Sequence, residues 1–374
     1  MSIMYIHEGK EWTRFTYNIE SIMPLLASVR HSQGRLLGRM ESLGFSLREE
    51  AMLTTLTLDV LKSTEIEGEI LDRDQVRSSI ARRLGFIKHD LVASSRNVDG
   101  VVEMMLDATQ NYDKELTEER LFGWHAALFP IGYSGMYKIE VAQYRTGEMQ
   151  VVSGAMGMEK VHYEAPKPER LEAEMSSFLT WINSDVAIDN VLKSAIAHFW
   201  FVTIHPFDDG NGRIARTIAD MMLSRSDGSE QRFYSMSNQI QKERKEYYQI
   251  LEHSQKGNSD ITTWIVWYLE CLGRALDATE DILESILSKA RFWEQHRETS
   301  FNDRQHKILN CLFDGIEGKL TSSKWAKMCQ CSKDTAIRDI QALIALDILR
   351  KTGEGGRSVN YELNYLCDKS KFKG

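Results

Sequence analysis

The sequence predicts an all-α protein, mainly helical with one β-hairpin, that ends in a C-terminal winged helix-turn-helix domain. Three observations predict this class. The 374 residues include only five prolines. Apolar residues recur at three- and four-residue spacing over long stretches. Glycine-bearing segments with short extended runs interrupt this spacing in two regions. Apolar residues make up 42% of the chain and charged residues 27%, a balance that allows a substantial core.

The helical spacing predicts eight segments in order along the chain. The first covers 45–61, where apolar residues fall on one helical face. The other seven are 98–106, 117–128, 171–181, 191–204, 214–223, 247–252 and 261–290.

Residues 144–163 interrupt the helical spacing and predict a β-hairpin, called the flap below. They include three glycines, the pair Val151 and Val152, and the extended run 161–163. Two extended pieces around a glycine-bearing loop are typical of a hairpin.

The C-terminal region has its own pattern. Helical spacing recurs over 303–313, 322–328 and 332–346, with Ser332 as the expected N-cap of the third helix. Extended runs at 348–351 and 358–363 flank a glycine-rich turn, which is typical of a hairpin. Three helices followed by a two-stranded wing predict a winged helix-turn-helix. The predicted domains are an N-terminal helical region (1–95), a core (96–294) and the winged helix (295–374).

The overall charge and hydropathy argue against several classes of protein. A net charge of -8 disfavours a protein that coats nucleic acid or an anionic membrane. The richest apolar stretch, 195–204, is too short to span a bilayer, and the N-terminus lacks the pattern of a signal peptide. Five cysteines in a chain of this length do not indicate a disulfide framework. We therefore expect a cytoplasmic protein without a membrane partner.

Residues 205–216, His-Pro-Phe-Asp-Asp-Gly-Asn-Gly-Arg-Ile-Ala-Arg, concentrate the chemistry. The buried helix 195–204 ends at His205, because Pro206 cannot continue it. The glycines of the following loop let main-chain N–H groups approach a ligand closely. A new helix then begins, and the unpaired N–H groups at its start attract anions. Arg213 and Arg216 lie one turn apart there, although cations are unfavourable at the positive helix end; a polyphosphate ligand explains both.

Asp209 and His205 complete a site for nucleotidyl or phosphoryl transfer. Asp209 offers a hard oxygen ligand next to the phosphates, as Mg²⁺ requires. A neutral imidazole at His205 accepts the proton of an attacking hydroxyl near pH 7. Taken singly, each residue is more often a cap, a turn or a surface ion pair, and it is their conjunction within twelve residues that favours the site.

The segment HPFDDGNGRIAR matches the Fic signature H-x-F-x-[DE]-G-N-G-R-x-x-R at every fixed position, so the chain resembles Fic-domain protein adenylyltransferases. With the flanking regions, the resemblance covers nearly the whole chain. It implies ATP and Mg²⁺, with His205 as the base and Asp209 as the metal ligand. It also implies a set of phosphate contacts: Gly210, Asn211, Gly212, Arg213 and Arg216.

The resemblance extends to the pocket around the site. The flap, including Val152 and Ser153, would pair with the backbone of a target protein and align its hydroxyl. Tyr247, Tyr248 and Gln255 would line the adenine and ribose pocket, although tyrosines on a helix are usually packing residues.

Residues 63–68, STEIEG, fit the inhibitory motif [ST]-x-x-x-E-[GN] of the family. Ser63, Glu67 and Gly68 are its fixed positions. The resemblance implies that Glu67 pairs with Arg216 in a bidentate contact and competes with phosphate for the same donors. The alternative is an ordinary glutamate near a helix end that Gly68 terminates.

Three functions remain open at this point. The first is an autoinhibited transfer of AMP to a Tyr, Thr or Ser hydroxyl of a target protein and of the chain itself. The second is removal of AMP, or transfer of another nucleotide, on the same fold. The third is a DNA-binding regulator that senses ATP, because 301–363 hold ten Lys/Arg against eight Asp/Glu and a winged helix can read a groove. Winged helices also mediate protein contacts, and a homodimer is compatible with the sequence.

Overall fold

The structure is a computed structural model that describes residues 5–86, 91–153, 160–313, 315–316, 318–352 and 359–364. The described chain divides into two compact units, 1–280 and 281–374. The hairpin loop at 154–159 and the wing turn at 353–358, both part of the sequence predictions, lie outside the described residues.

The first unit is built almost entirely from helices. Five of them precede the flap: α1 (Ile19–Glu41), α2 (Phe45–Ile66), α3 (Arg73–Arg83), α4 (Arg96–Gln110) and α5 (Glu118–Leu128). The next six are α6 (Leu171–Asn183), α7 (Asn190–Ile204), α8 (Asn211–Asp227), α9 (Met236–Lys242), α10 (Arg244–Ser254) and α11 (Thr262–Gln295), whose residues from 281 onwards belong to the second unit. All eight helices predicted from the spacing of apolar residues are confirmed, and the fold is mainly helical as expected.

Two small hairpins lie between α5 and α6. The first pairs β1 (Tyr133–Ser134) with β2 (Tyr137–Lys138) in antiparallel register, and the sequence did not predict it. The second pairs β3 (Gln150–Ser153) with β4 (Lys160–Glu164), which confirms the flap as an antiparallel hairpin. A bulge between Val151 and Val152 leaves one extra residue on the opposite strand, which bends the ribbon.

Helix α7 forms the centre of the first unit. Every residue from Val191 to Ile204 is buried, which explains why its sequence is apolar around the whole circumference. Ser194 Oγ donates to the carbonyl of Ala219 at 2.9 Å and ties α7 to α8. The helix ends at His205, which adopts a left-handed conformation with φ 52° and ψ 58° before Pro206. The core therefore fixes the position of the first residue of the 205–216 segment.

The end of α2 lies beside the start of α8. The last helical residue of α2 is Ile66, Glu67 is its C-cap, and Gly68 reverses the chain with φ 88°. That dihedral is accessible to glycine at no steric cost, so the helix terminates where the sequence indicated.

The second unit has a separate core. It contains α12 (Asp303–Phe313), α13 (Ser322–Met328) and α14 (Lys333–Ala345), followed by β5 (Leu349–Thr352) and β6 (Asn360–Leu363). The two strands are antiparallel, with Leu349 opposite Leu363. Ser332 caps α14 by accepting the N–H of Thr335, as predicted. Phe292, Leu309 and Trp325 lie at the centre of the buried apolar cluster of this unit.

Among the helices described here, none combines the length and apolar character needed to cross a membrane.

Candidate active site

The loop between α7 and α8 is held in shape by its own side chains. Asn211 Oδ1 accepts the N–H of Phe207 at 2.9 Å, and Asn211 Nδ2 donates to the carbonyl of the same residue at 2.8 Å. Gly210 caps α8 with φ 81°, and its N–H donates to Asp209 Oδ1 at 2.6 Å. Both polar groups of the Asn211 side chain thus hold the loop in shape.

His125, a buried residue of α5, packs against this loop and forms a hydrogen bond with it. The ring of His125 stacks on Phe207 with centroids 4.3 Å apart, and its Nδ1 accepts the N–H of Ala142. Its Nε2 therefore carries the proton and donates to the carbonyl of Asp209 at 3.2 Å. Burial lowers the pKa of His125 to about 4, so the ring is neutral near pH 7.

His205 lies at the start of the loop and is suited to act as a base. Its Nδ1 lies 3.1 Å from the carbonyl of Val202, and a carbonyl only accepts, so Nδ1 carries the proton. Nε2 consequently presents a lone pair. Burial lowers the pKa of His205 below its ordinary value, which keeps the ring neutral near pH 7.

Asp209 is the candidate metal ligand. Its side chain is 43% exposed, its Oδ2 accepts the hydroxyl of Ser134 from the β1–β2 hairpin, and the same oxygen lies 3.9 Å from Arg213 Nη2. In the described part of the chain, no group of three or more His, Cys, Asp or Glu side chains forms a ready metal cage. A carboxylate and a hydroxyl fit Mg²⁺, which takes few protein ligands and completes its shell with phosphate oxygens and water.

Arg216 is buried against the end of α2. Its Nη2 donates to Glu67 Oε1 at 2.7 Å and to the carbonyl of Ser63 at 2.8 Å, and its Nε donates to Ser63 Oγ at 3.0 Å. Although burial disfavours the charge, the Glu67 carboxylate raises the pKa of Arg216 above its ordinary value. Ser63 and Glu67 belong to the predicted inhibitory motif and Arg216 to the 205–216 segment. The structure brings the three residues together. The contact with Glu67 uses one guanidinium nitrogen, Nη2, whereas the expected contact was bidentate; Nη1 has no hydrogen-bond acceptor among the described residues.

Arg213 lies one turn earlier on α8 and is also buried. Its Nη1 forms an ion pair with Glu69 Oε2 at 3.1 Å, and its guanidinium carbon lies 5.0 Å above the ring of Phe129. Glu69 was not singled out from the sequence, since it falls outside the inhibitory motif.

Both arginines keep donors that lack a partner. Arg213 Nε and Arg216 Nη1 are buried and have no hydrogen-bond acceptor among the described residues. A Cβ at Gly212 would lie 2.2 Å from Glu67 Oε1, so only glycine permits this approach of a carboxylate to the helix start. Buried unpaired N–H groups next to a helix N-terminus are costly, and an anion with several oxygens satisfies them. The residues therefore fit a phosphate chain.

The three side chains predicted for the nucleoside pocket differ in exposure. Tyr248 is 36% exposed, and its hydroxyl lies 3.3 Å from Glu67 Oε2. Tyr247 is buried and its hydroxyl pairs with His198 Nε2 at 2.9 Å. Gln255 is buried and donates to Thr203 Oγ1 at 3.2 Å. Tyr248 alone of the three offers substantial surface to a ligand, because Tyr247 and Gln255 face the core.

The flap is anchored at both ends by Arg145. This arginine is 2% exposed and donates to the carbonyls of His205, Gly147 and Pro166 at 2.8, 2.7 and 2.5 Å. Val152 is 48% exposed on β3. One side chain thus connects the base of the flap to the backbone of His205.

The outer part of the flap contacts α10. Ser153 Oγ lies 2.5 Å from His162 Nε2 on β4. His162 Nδ1 lies 2.6 Å from Glu252 Oε2 on α10. These contacts hold the edge that carries Val152 beside the helix that carries Tyr248.

Sequence reasoning missed His125, Ser134, Arg145 and Glu69. His125 and Arg145 are single buried polar residues, which from sequence are indistinguishable from ordinary core or surface positions. A weak signal was present for Arg145, since it is the second residue of the predicted flap, 144–163. The contacts of Ser134 and Glu69 depend on tertiary structure alone.

The comparisons with known proteins agree with this geometry. The Fic/DOC family matches residues 115–223, and a domain of unknown function, DUF4172, matches residues 5–86. A protein adenylyltransferase Fic of Nematostella vectensis is 31% identical over 226 residues, which cover 59% of this chain and 47% of that protein. A protein of the same name from Aedes aegypti is 33% identical over 229 residues, covering 58% of this chain and 40% of that protein. The chain thus spans half or less of the length of these relatives.

Solved structures show the same fold. A Fic family protein from Desulfovibrio desulfuricans matches with a TM-score of 0.52 at 20% identity, over 92% of this chain and 95% of that chain. A Fic domain-containing signalling protein from Bacteroides thetaiotaomicron matches with a TM-score of 0.50 at 19% identity, over 71% of this chain and 97% of that chain. Fold and site define a helical protein in which a loop between two core helices lies beside buried N–H donors without an acceptor among the described residues. Residues 115–223, which include this loop, are similar to the Fic/DOC family.

Proposed function

We propose that the chain is a protein adenylyltransferase that transfers AMP from Mg-ATP to a Tyr, Thr or Ser hydroxyl of a target protein. The observation that carries this proposal is the assembly of His205, Asp209, Arg213 and Arg216 at the start of α8, with buried N–H donors left for an anion. The names of the relatives in Nematostella and Aedes support the same reaction.

The reaction assigns one task to each residue. The target oxygen attacks the α-phosphorus, the bond from that phosphorus to the bridging oxygen of pyrophosphate breaks, and the hydroxyl proton passes to His205 Nε2. Arg213, Arg216 and the first N–H groups of α8 hold the phosphate chain in line. Asp209 with Ser134 would hold Mg²⁺, which neutralises phosphate charge when bound.

The flap is the proposed docking edge for the target. β3 carries the exposed Val152 and Ser153 and has β4 on one side only. An extended segment of a target pairs with such an edge through its main chain, which tolerates different side chains. Arg145 then keeps the paired hydroxyl at a fixed distance from His205.

Glu67 is the proposed inhibitor of this activity. Its carboxylate occupies Arg216 at 2.7 Å and lies against Gly212, where phosphate oxygens would bind. As long as this ion pair persists, the charge of Arg216 is neutralised and the start of α8 is occupied, so ATP binds less tightly. The resting state of the enzyme is therefore mostly inactive.

The proposal is tested by incubation with α-labelled ATP and Mg²⁺. The unmodified chain should label itself weakly, Glu67→Gly should increase labelling by roughly tenfold or more, and His205→Ala in the Glu67→Gly background should abolish it. Glu65→Gln is the matched control, because Glu65 lies on the same helix but pairs with Lys62 and Gln241. Equal labelling of the unmodified chain and Glu67→Gly contradicts the inhibitory role. Labelling that survives His205→Ala contradicts the role of the base.

Removal of AMP is the alternative reaction on the same site. Glu67 lies near the phosphate site, where a carboxylate can also position water. Loss of label from a pre-labelled target, blocked by Glu67→Gly, would favour this alternative.

The unit 281–374 is proposed to be a winged helix-turn-helix, because three helices (α12, α13 and α14) are followed by the β5–β6 ribbon. Its exposed Lys333 and Arg338 on α14 are the candidates for DNA contact. A salt titration with a DNA duplex tests this role, and absence of binding at low salt excludes it.

A further inference from the structure

We infer that Glu69 is a second inhibitory carboxylate, which occupies Arg213 while Glu67 occupies Arg216. The segment 67–69 then imitates the phosphate chain of the nucleotide with two carboxylates, whereas the inhibitory motif alone supplies one. This inference rests on the proposed function and extends its regulation to a residue outside the inhibitory motif.

The contact of Glu69 parallels that of Glu67. Glu69 Oε2 lies 3.1 Å from Arg213 Nη1, and Glu67 Oε1 lies 2.7 Å from Arg216 Nη2. The two guanidinium groups are 2% and 3% exposed, so each carboxylate meets a buried cation rather than a solvated one. Both contacts fall on the two arginines that the sequence assigns to the phosphate tail.

One backbone anchor presents both carboxylates. The N–H groups of Glu67 and Glu69 both donate to the carbonyl of Thr64, at 3.1 and 3.3 Å. The left-handed Gly68 between them turns the chain, so two residues that flank one glycine reach two arginines on successive positions of one helix face. Arg244 Nε donates to the carbonyl of Ile66 at 2.7 Å and holds the same turn from α10.

The two ion pairs differ in how easily they open. The Glu69 side chain is 41% exposed and that of Glu67 is 30% exposed, so water reaches Glu69 more readily. An ion pair is weaker when its carboxylate is more exposed to water, because the solvent screens the charges. We therefore expect Glu69 to have the smaller effect, and Glu67→Gly to leave part of the inhibition in place because Arg213 stays paired.

The inference predicts the effect of neutralising each carboxylate on phosphate affinity. Inorganic triphosphate with Mg²⁺ is the probe, measured by titration calorimetry on the full chain. Glu69→Gln should tighten its binding by about threefold to tenfold. Glu67→Gln should tighten binding more, and the double variant should exceed either single one. Glu65→Gln, which removes a carboxylate paired with Lys62 instead, should bind triphosphate like the unmodified chain.

AMP transfer is measured in parallel with α-labelled ATP. Glu69→Gln should increase self-labelling by the same factor as triphosphate affinity at ATP concentrations below saturation. In the Glu67→Gly background, Glu69→Gln should raise labelling again by about threefold.

The outcomes separate this inference from the proposed function. If Glu69→Gln binds triphosphate no better than Glu65→Gln, or more weakly, Glu69 does not inhibit. If no variant binds triphosphate, the phosphate imitation itself is wrong. If Glu69→Gln and Glu67→Gln bind triphosphate tightly and no variant transfers AMP, the adenylyltransferase proposal fails while the double ion pair stands.

Discussion

His125 shows what a single buried residue contributes to the loop between α7 and α8. Its neutral ring accepts from Ala142 and donates to Asp209, and its pKa is lowered to about 4 by burial. In the unfolded chain a histidine titrates near its ordinary value of about 6.5. Below that pH the imidazole of His125 is protonated in the unfolded state but stays neutral in the folded state. The free energy of unfolding therefore falls as the pH drops from about 6.5 towards 4. The loss should be on the order of 3 kcal/mol.

Thermal denaturation between pH 7 and pH 4 checks this prediction. His125→Gln should lower stability at pH 7, because the stacking and one hydrogen bond are lost, but should show a shallower decline with acid. Equal slopes for His125→Gln and the unmodified chain would contradict the assignment.

Some residues of the predicted site lie close together because they are neighbours along the chain. His205, Asp209 and the two arginines fall within twelve residues, so loop and helix geometry alone brings them together. The pairing of Glu67 with Arg216, across a sequence separation of 149 residues, followed from family resemblance only. Tyr247 and Gln255 are buried because helix α10 turns those positions towards α7, which spacing along one helix does not reveal.

Arg145 joins one structural element, the flap, to the backbone of His205. Arg145 uses three separate nitrogens of its planar guanidinium for these contacts, whereas a lysine has a single nitrogen and would leave one or more of the carbonyls of His205, Gly147 and Pro166 unpaired. In the Glu67→Gly background, Arg145→Lys should reduce AMP transfer to a protein target by about tenfold. Triphosphate affinity should change less than twofold, because Arg145 has no contact with the arginines of α8.

Arg232→Lys is the matched control for this prediction. Arg232 is equally buried and donates to Asp220 at 2.8 Å, so its loss also destabilises the fold. If Arg145→Lys and Arg232→Lys reduce transfer equally at equal loss of thermal stability, Arg145 has no special role in positioning the flap.

Elements were predictable where one face is clearly apolar. The sequence predicted α2 and α4 in their correct places, since their buried residues recur at helical spacing. It did not predict α3, because five of its eleven residues are charged and the apolar stripe consists of Val76 and Ile80. The β1–β2 hairpin escaped because two-residue strands have too short a pattern to detect.

The chain as a whole contains two cores, and each should unfold on its own. The first unit is centred on α7, whereas the second is built around Trp325, Leu309 and Phe292. Leu309 is fully buried, so Leu309→Ala should destabilise the second unit by about 2–5 kcal/mol. We expect two calorimetric transitions, of which Leu309→Ala lowers only one, while triphosphate binding at 25 °C stays unchanged.

Leu121→Ala provides the reciprocal variant. Leu121 is fully buried in α5 of the first unit, and its truncation should lower the other transition by a similar amount. The proposed phosphate and hydroxyl sites all lie in the first unit. Leu121→Ala should therefore also lower the temperature at which triphosphate binding is lost. A single transition that both variants shift equally would mean that the two cores form one cooperative unit. In that case a ligand of the second unit would act on the stability of the first by linkage.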